Sequence, residues 1–320
     1  MLLTCVLLAL LAVLLAWPVP ILLAQARWPA AAPGVALLLW QAIALAGGLS
    51  MIGALLTGGL IPFGDSLLTA LDAFRRHTFA GSLPADANFL EMFALSGAVL
   101  LAVHLVLNLA MTVVRTERQR RRHLQLVRLL SEPMPDRPGM RLIDHEAPVA
   151  YCLPGSARSV TVLSAGLVEL LDERELRAVI AHERAHVSQR HHLVLVAFRA
   201  WRSALPWFPI ATRARDAVGV LVEMLADDRA RHEVPDDVLA GTVARVALSG
   251  GETPDAAGRA AASSLGDATG ADSASVQLRV DRLSAGGGSL PIAWRAVVVV
   301  LAAALVLVPP LLLVLPAFDA

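Results

Sequence analysis

The stretch Ala181-His182-Glu183-Arg184-Ala185-His186 reads H-E-x-x-H, and the rest of the chain is best understood outward from it. On a helix, residues four apart are separated by about 40° around the axis and by one turn along it. His182 and His186 therefore leave the same face and can hold one metal ion. Zinc takes imidazole nitrogen readily, and a catalytic zinc uses three protein ligands and keeps one position open. Glu183 stands beside the first histidine, where it can take a proton from a water at that position. The competing interpretation is the solvated polar face of an ordinary helix.

The residues leading into the motif favour a buried helix. Asp172 can cap it, with Glu175 three residues on as in a capping box. Leu176, Val179 and Ile180 then follow at helical spacing on one side. Upstream, Met140–Ile143, Ala147–Leu153 and Ser159–Leu163 are short apolar runs separated by turn residues such as Pro154-Gly155, so they read as strands. Ser164–Leu171 reads as a short helix. Downstream, Leu193–Ile210 reads as a core helix and a turn near the membrane surface, with Trp201 and Trp207 as interface anchors. Helices are expected over Ala217–His232, 236–249 and Val276–Leu283, with a flexible Gly-, Ala- and Ser-rich loop over Gly250–Ser275.

Two histidines leave a zinc site one ligand short. His192 lies ten residues after His182, the spacing of H-E-x-x-H-x-x-G-x-x-H, but Gln189 stands where that pattern needs a glycine. If the helix continues, His192 lies about 9 Å beyond His186 along the axis and well round from its face. His191 fails on similar geometry. Glu223 is the better candidate, because a second, antiparallel helix can carry its carboxylate to the same ion. Asp227, one turn later, faces the same way and can accept the free N–H of a ligating histidine. The bland alternative places Glu223 and Asp227 on a solvated acidic face with Asp228. Cys152 is expected to be a small buried strand residue, the alternative being an inhibitory thiolate on the metal.

Composition places this motif in a membrane protein. Of 320 residues 56% are hydrophobic and 17% charged, too apolar for an ordinary soluble domain, and a net charge of zero gives no general pull toward nucleic acid. Two cysteines make no disulfide framework. Residues 2–24, 34–57, 92–114 and 296–318 are apolar runs long enough to cross a bilayer core of about 30 Å. For the first, a cleaved signal peptide ending at Ala24-Gln25-Ala26 is the rival reading, but a basic leader is missing. Residues 58–91 read as a connecting loop. His104 and Asn108, four apart in the third run, are expected to hydrogen-bond inside the helix bundle. Arg115, Arg118, Arg120, Arg121 and Arg122, with Arg128 beyond, follow that run and mark its cytoplasmic end. The N-terminus and the 58–91 loop are then expected outside. The segments are 1–115 with three spans, a polar domain over 116–290, and 291–320 with the fourth span.

The run Val162-Leu163-Ser164-Ala165-Gly166-Leu167, then Leu170-Leu171-Asp172, Glu175 through Glu183, and the later E-x-x-x-D of Glu223 and Asp227 resemble the membrane gluzincin peptidases. Two groups share these features, the Ste24/HtpX type and the BlaR/MecR sensor-transducer type. Three spans before the zinc domain and one after it are similar to the BlaR/MecR arrangement. The penicillin-binding sensor of that group would follow the fourth span, and the sequence stops there. The resemblance implies a mainly α fold, a four-span transmembrane bundle with an inserted cytoplasmic α+β gluzincin-like zinc peptidase domain. It implies one Zn2+ held by His182, His186 and Glu223, with Glu183 as base and Asp227 behind a histidine. The implied activity is endoproteolysis on the cytoplasmic side of the cell membrane. The expected substrate is a regulator such as a BlaI/MecI-type repressor, with HtpX/Ste24-like quality control of membrane proteins as the alternative. The partners expected are a protein or peptide substrate and the lipid bilayer, with no direct nucleic-acid binding.

Overall fold

The computed structural model describes residues 1–82, 84, 87–135, 137–153, 159–206, 209–251 and 273–315. The turn at Pro154-Gly155, the anchor Trp207, residues 252–272 of the expected loop, and Pro316 lie outside these. The fold is mainly helical with one small sheet. Among the described residues four helical segments are long and apolar enough to cross a membrane: Leu2–Gln25, Pro33–Gly59, Phe89–Leu130 and Ile292–Val314. The first three cover the apolar runs 2–24, 34–57 and 92–114, and the fourth covers residues 296–314 of the run expected over 296–318.

The first segment is two helices, α1 (Leu2–Ala16) and α2 (Pro18–Gln25), because Pro18 cannot continue the hydrogen-bond ladder past Trp17. A single turn, α3 (Trp28–Ala31), leads into α4 (Pro33–Gly59), around which the bundle is packed. Residues 58–91 are not simply a loop. They contain α5 (Leu67–Ala80), started by a Ser66–Thr69 capping box and stopped by Gly81 in the left-handed region. Its buried Ala70 joins Leu60, Phe63 and Leu95 in a small apolar cluster at the far end of α4 and the start of the next span.

That span belongs to α6 (Phe89–Leu130), a helix of 42 residues. It does not end at residue 114. It runs on through the arginine cluster, where Glu117 bridges Arg120 and Arg121 at i,i+3 and i,i+4 and so supports the helix beyond the apolar run. The division expected between residues 115 and 116 thus falls inside a continuous helix. The sheet follows: β1 (Ser131–Pro133), β2 (Met140–Ile143), β3 (Ala150–Leu153) and β4 (Val160–Ser164), in the order β1-β2-β4-β3. β2 runs parallel to β4, and β3 pairs antiparallel with β4 with Cys152 opposite Thr161. Among the described residues β3 is therefore an edge strand.

Ser164 caps α7 (Ala165–Leu170), and Asp172 caps α8 (Glu173–Ser188) with the reciprocal Glu175 contact at 3.0 Å. Such a cap contributes about 1 kcal/mol. Leu176 and Ile180 of α8 pack on Leu163, Leu167 and Met140, which fixes the helix against the sheet. α9 (His191–Ala204), α10 (Pro209–Ala230), α11 (Asp236–Gly251), α12 (Ser273–Ser284) and α13 (Ile292–Val314) complete the chain. Pro309 and Pro310 lie within α13 without ending it.

The spans and the polar part share one core. Phe198 of α9 and Val218, Leu221 and Val222 of α10 join Leu37, Trp40 and Ile43 of α4. The ring of Trp201 lies against Gly48 of α4, where an added Cβ would come within 2.8 Å. His104 Nε2 lies 3.2 Å from the Ala204 carbonyl, and Asn108 donates to the Ala200 carbonyl at 2.7 Å. Ala204 is the last residue of α9, so its carbonyl has no partner within the helix and His104 covers it, while Asn108 adds a contact to Ala200, whose carbonyl also accepts the Ser203 hydroxyl.

Two glycines make the packing testable. Gly166 opens α7 directly beneath the Glu146 backbone, and a Cβ there would land on the Glu146 carbonyl. Gly241 lies in α11 with nothing near its missing Cβ. Gly166→Ala should destabilise by about 1–3 kcal/mol through overpacking, whereas Gly241→Ala should stabilise by about 0.5–1 kcal/mol through helix propensity. Melting temperatures of the detergent-solubilised full chain check both signs.

Candidate metal centre

Alanines bring the two site helices together. Ala178, Ala181 and Ala185 on α8, and Ala226 and Ala230 on α10, are all buried. They recur at three- and four-residue spacing, on the same stripes as His182 and His186 and as Glu223 and Asp227. Small side chains let helix axes approach toward the short end of the usual 8–10 Å. The acidic residues of α10 thereby reach the histidines of α8.

His182 Nε2 lies 3.2 Å from Glu223 Oε2 and 3.1 Å from His186 Nε2, and His186 Nε2 lies 3.4 Å from Glu223 Oε1. Ligands bound tetrahedrally to zinc at its usual ~2.0–2.1 Å would be separated by about 3.3 Å. The two imidazole nitrogens lie at such a distance from each other and each from one oxygen of Glu223, with all three donors within 4.8 Å of one another, and the set of two imidazoles and one carboxylate suits zinc. On the other side of the ring, His182 Nδ1 lies 2.9 Å from Asp227 Oδ1, close in distance though not aligned as a hydrogen bond. Asp227 is almost wholly buried while Asp228, its neighbour, turns away to Arg282 and Arg231. The acidic run is therefore split between two faces and is not one solvated face.

His192 is exposed and plays no part in this cluster. The reason differs from the one expected. The helix does not continue: α8 stops at Ser188, and Arg190 takes the left-handed conformation (φ 54°) that a glycine would ordinarily supply. The reversal brings His191 back against His186, its Nδ1 3.1 Å from His186 Nδ1. Sequence spacing had set His191 aside with His192, because the turn rests on a non-glycine residue.

Arg279 of α12 was given no role by the sequence. It binds Asp227 with both ends of its guanidinium, Nε to Oδ2 at 2.8 Å and Nη2 to Oδ1 at 2.7 Å, and its Nη1 lies 3.1 Å from Glu223 Oε2. Such paired contacts are among the strongest a carboxylate makes. Arg279 lies 52 residues from Asp227, which hides the link. The available signal was the pair Arg279 and Arg282 on one helix turn, facing the acids of α10. Arg184, Arg190 and His232, the cations considered from sequence, are all exposed.

The electrostatics follow from this packing. Burial disfavours a charged His182, but the carboxylates of Asp227 and Glu223 outweigh it and raise its pKa to about 10. Burial likewise works against Glu223, yet His182, His186 and Arg279 hold its carboxyl well below the usual range. Asp227, also buried, is held at about 2 by Arg279 and His182. Burial lowers His186 and His191 to about 4, so both rings are neutral near pH 7. Glu183 is pushed up by burial to about 7, against the pull of His182. The Cys152 backbone also lowers the Glu183 carboxyl, while burial pushes the Cys152 thiol up and away from thiolate.

Residues 113–221 match the family model described as "Peptidase family M48". The matched region contains His182, Glu183 and His186 and ends before Glu223. Over 111 residues the chain is 36% identical to "Protease HtpX homolog" of Polynucleobacter necessarius subsp. necessarius (strain STIR1), covering 32% of this chain and 38% of that relative. The chain therefore matches well under half of the relative's length. No solved structure matches. Together with four apolar helices, these similarities support a membrane metallopeptidase.

The charge pattern predicts how metal-free protein responds to pH. The His182 pKa is raised from 6.5 to about 10, so its contribution is complete below pH 6.5 and is lost as pH rises through about 10. Asp227 is lowered from 3.8 to about 2, so its contribution is present above pH 3.8 and is lost as pH falls through about 2. The chain has no lysine and one tyrosine, so besides His182 the alkaline limb holds chiefly Glu183, the two cysteines and the N-terminal amine. The melting temperature of chelator-treated protein should fall between pH 6.5 and 10, and Asp227→Asn should flatten that fall. A wild-type profile already flat there would contradict the ion pair.

Proposed function

We propose that this chain is a membrane zinc endopeptidase with an inserted gluzincin-like domain, and that its substrates are membrane proteins cleaved in an HtpX-like quality-control role. The observation that carries the chemistry is the convergence of His182, His186 and Glu223 donors at 3.1–3.4 Å beside Glu183. The quality-control reading draws on the similarity to an HtpX homologue and to the M48 family.

In this reading His182, His186 and Glu223 hold the ion. Bound zinc would polarise the peptide carbonyl and lower the pKa of a water toward about 7. Glu183 takes the proton of the attacking water and passes it to the leaving amine. A pKa raised to about 7 in the metal-free site suits a group that must both accept and return a proton. Asp227 fixes the His182 ring, and Arg279 keeps Asp227 and Glu223 ionised. β3, an edge strand among the described residues, neighbours α8, so an extended substrate can add to it as a further strand beside the site.

The site lies toward the arginine-rich side of the bundle. Arg282 donates to the Ala30 carbonyl in the α2–α4 connection, while α5 packs at the opposite end of α4. By the positive-inside rule the site then faces the cytoplasm, with the N-terminus and α5 outside.

A second reading, cleavage of a cytoplasmic BlaI/MecI-type repressor, is favoured by one observation: three candidate spans precede the site and one follows it. No direct contact with nucleic acid is proposed in either case.

Glu183→Gln should keep zinc and fold but lose about 10²–10⁴-fold in turnover, while Glu223→Ala should lose most of its zinc and His192→Ala none. Zinc content and cleavage of a membrane-protein substrate check these. In cells, comparative proteomics of Glu183→Gln against wild type should show many membrane proteins accumulating. Accumulation of a single cytoplasmic repressor would transfer the assignment to the second reading.

A further inference from the structure

We propose that His191 is a positioning residue for the metal centre: anchored by Gln189, it holds His186 in the tautomer whose Nε2 is free to bind zinc. The proposal rests on the zinc reading of His182, His186 and Glu223.

His191 is buried, with 3% of its surface exposed. Its ring meets that of His186 edge-on, with centroids 5.0 Å apart and planes at 84°. Two contacts fix its protons. Nε2 lies 2.7 Å from Gln189 Oε1, and Nδ1 lies 3.1 Å from His186 Nδ1. An amide oxygen only accepts, so His191 Nε2 carries the hydrogen. A neutral imidazole has a single N–H, which makes Nδ1 of His191 an acceptor. His186 must then donate from its own Nδ1, and its Nε2 keeps the lone pair. That lone pair belongs to the atom 3.1 Å from His182 Nε2 and 3.4 Å from Glu223 Oε1.

The reverse arrangement fails on chemistry. An amide nitrogen donating to His191 Nε2 would move the hydrogen to His191 Nδ1 and force His186 to accept there. His186 Nε2 would then carry a hydrogen and could not bind a metal. The polarity of the Gln189–His191–His186 chain is thus set by the requirement at its end.

Each histidine of the centre has its own orienting partner. His182 has the Asp227 carboxylate, whose charge Arg279 balances. His186 has a neutral imidazole, which orients it without adding a second buried negative charge that would need a counter-ion. The left-handed Arg190 makes this possible, since it turns the chain between the two rings.

The test uses the detergent-solubilised full chain, stripped with chelator and titrated with zinc against a competing chelator. His191→Leu should weaken zinc binding about 10–100-fold, the usual effect of losing a group that orients a ligand. His191→Asn, whose Oδ1 can stand where Nδ1 stood, should recover most of the loss, and His192→Leu should bind as wild type. Nitrogen NMR of labelled histidine should show His191 protonated at Nε2 and His186 at Nδ1. Gln189→Ala, an exposed position, gives the same readout if His191→Leu does not fold, and should loosen that tautomer preference. Wild-type affinity in a folded His191→Leu, or His191 protonated at Nδ1, overturns the proposal alone. Wild-type protein that takes up no zinc overturns the reading of the site, and the proposal with it.

Discussion

A buried ion cluster joins α8, α10 and α12, and its neutrality is the condition the surrounding structure meets. Glu223 and Asp227 bring two negative charges, balanced by Arg279 and, without metal, by a proton on His182. Each buried charge costs several kcal/mol unless it is paired and hydrogen-bonded. The proton on His182 occupies the place of part of a metal's charge. A divalent cation entering the site would displace it and compensate Glu223 directly, so binding is an exchange of cations more than the filling of a void.

That condition explains the shape of the polar part. Glu223 and Asp227 can meet the histidines only if two helices approach closely, which the alanine stripes permit. Arg279 can neutralise them only if α12 returns to the same place. It does so because Leu283 packs into the apolar cluster of Ala178, Ala181, Ala230 and Leu239. Arg282, one turn from Arg279, ties the same helix to Asp228 and to the Ala30 carbonyl. Apolar packing and ion pairing therefore select the same helix positions, as a uniquely folded site requires.

Much of this was legible in the sequence where the signals are local. The capping box of Asp172 and Glu175, the strands over residues 140–163 and the four apolar runs are patterns of neighbouring residues, and each reappears as an element. Glu223 and Asp227 were legible through their four-residue spacing. What escaped needed distance or an exception. Arg279 meets Asp227 across 52 residues. The turn that brings back His191 rests on Arg190, a residue type that rarely takes a positive φ. α5 escaped because its polar positions imitate a loop, and the length of α6 because arginines ended its apolar run without ending the helix.

α9 begins with His191 against His186 and ends with carbonyls held by His104 and Asn108 of the third span. Between them Trp201 sits against Gly48 of α4. Fourteen helical residues rise about 21 Å, so this one helix has one end at the His182–His186–Glu223 cluster and the other among the spans. Extraction from the bilayer is consequently not a neutral operation on this protein. A detergent that loosens the seat of Trp201 acts on the helix that carries His191. The choice of solubilising agent is thus a variable of the histidine cluster, although no detergent molecule need come near it.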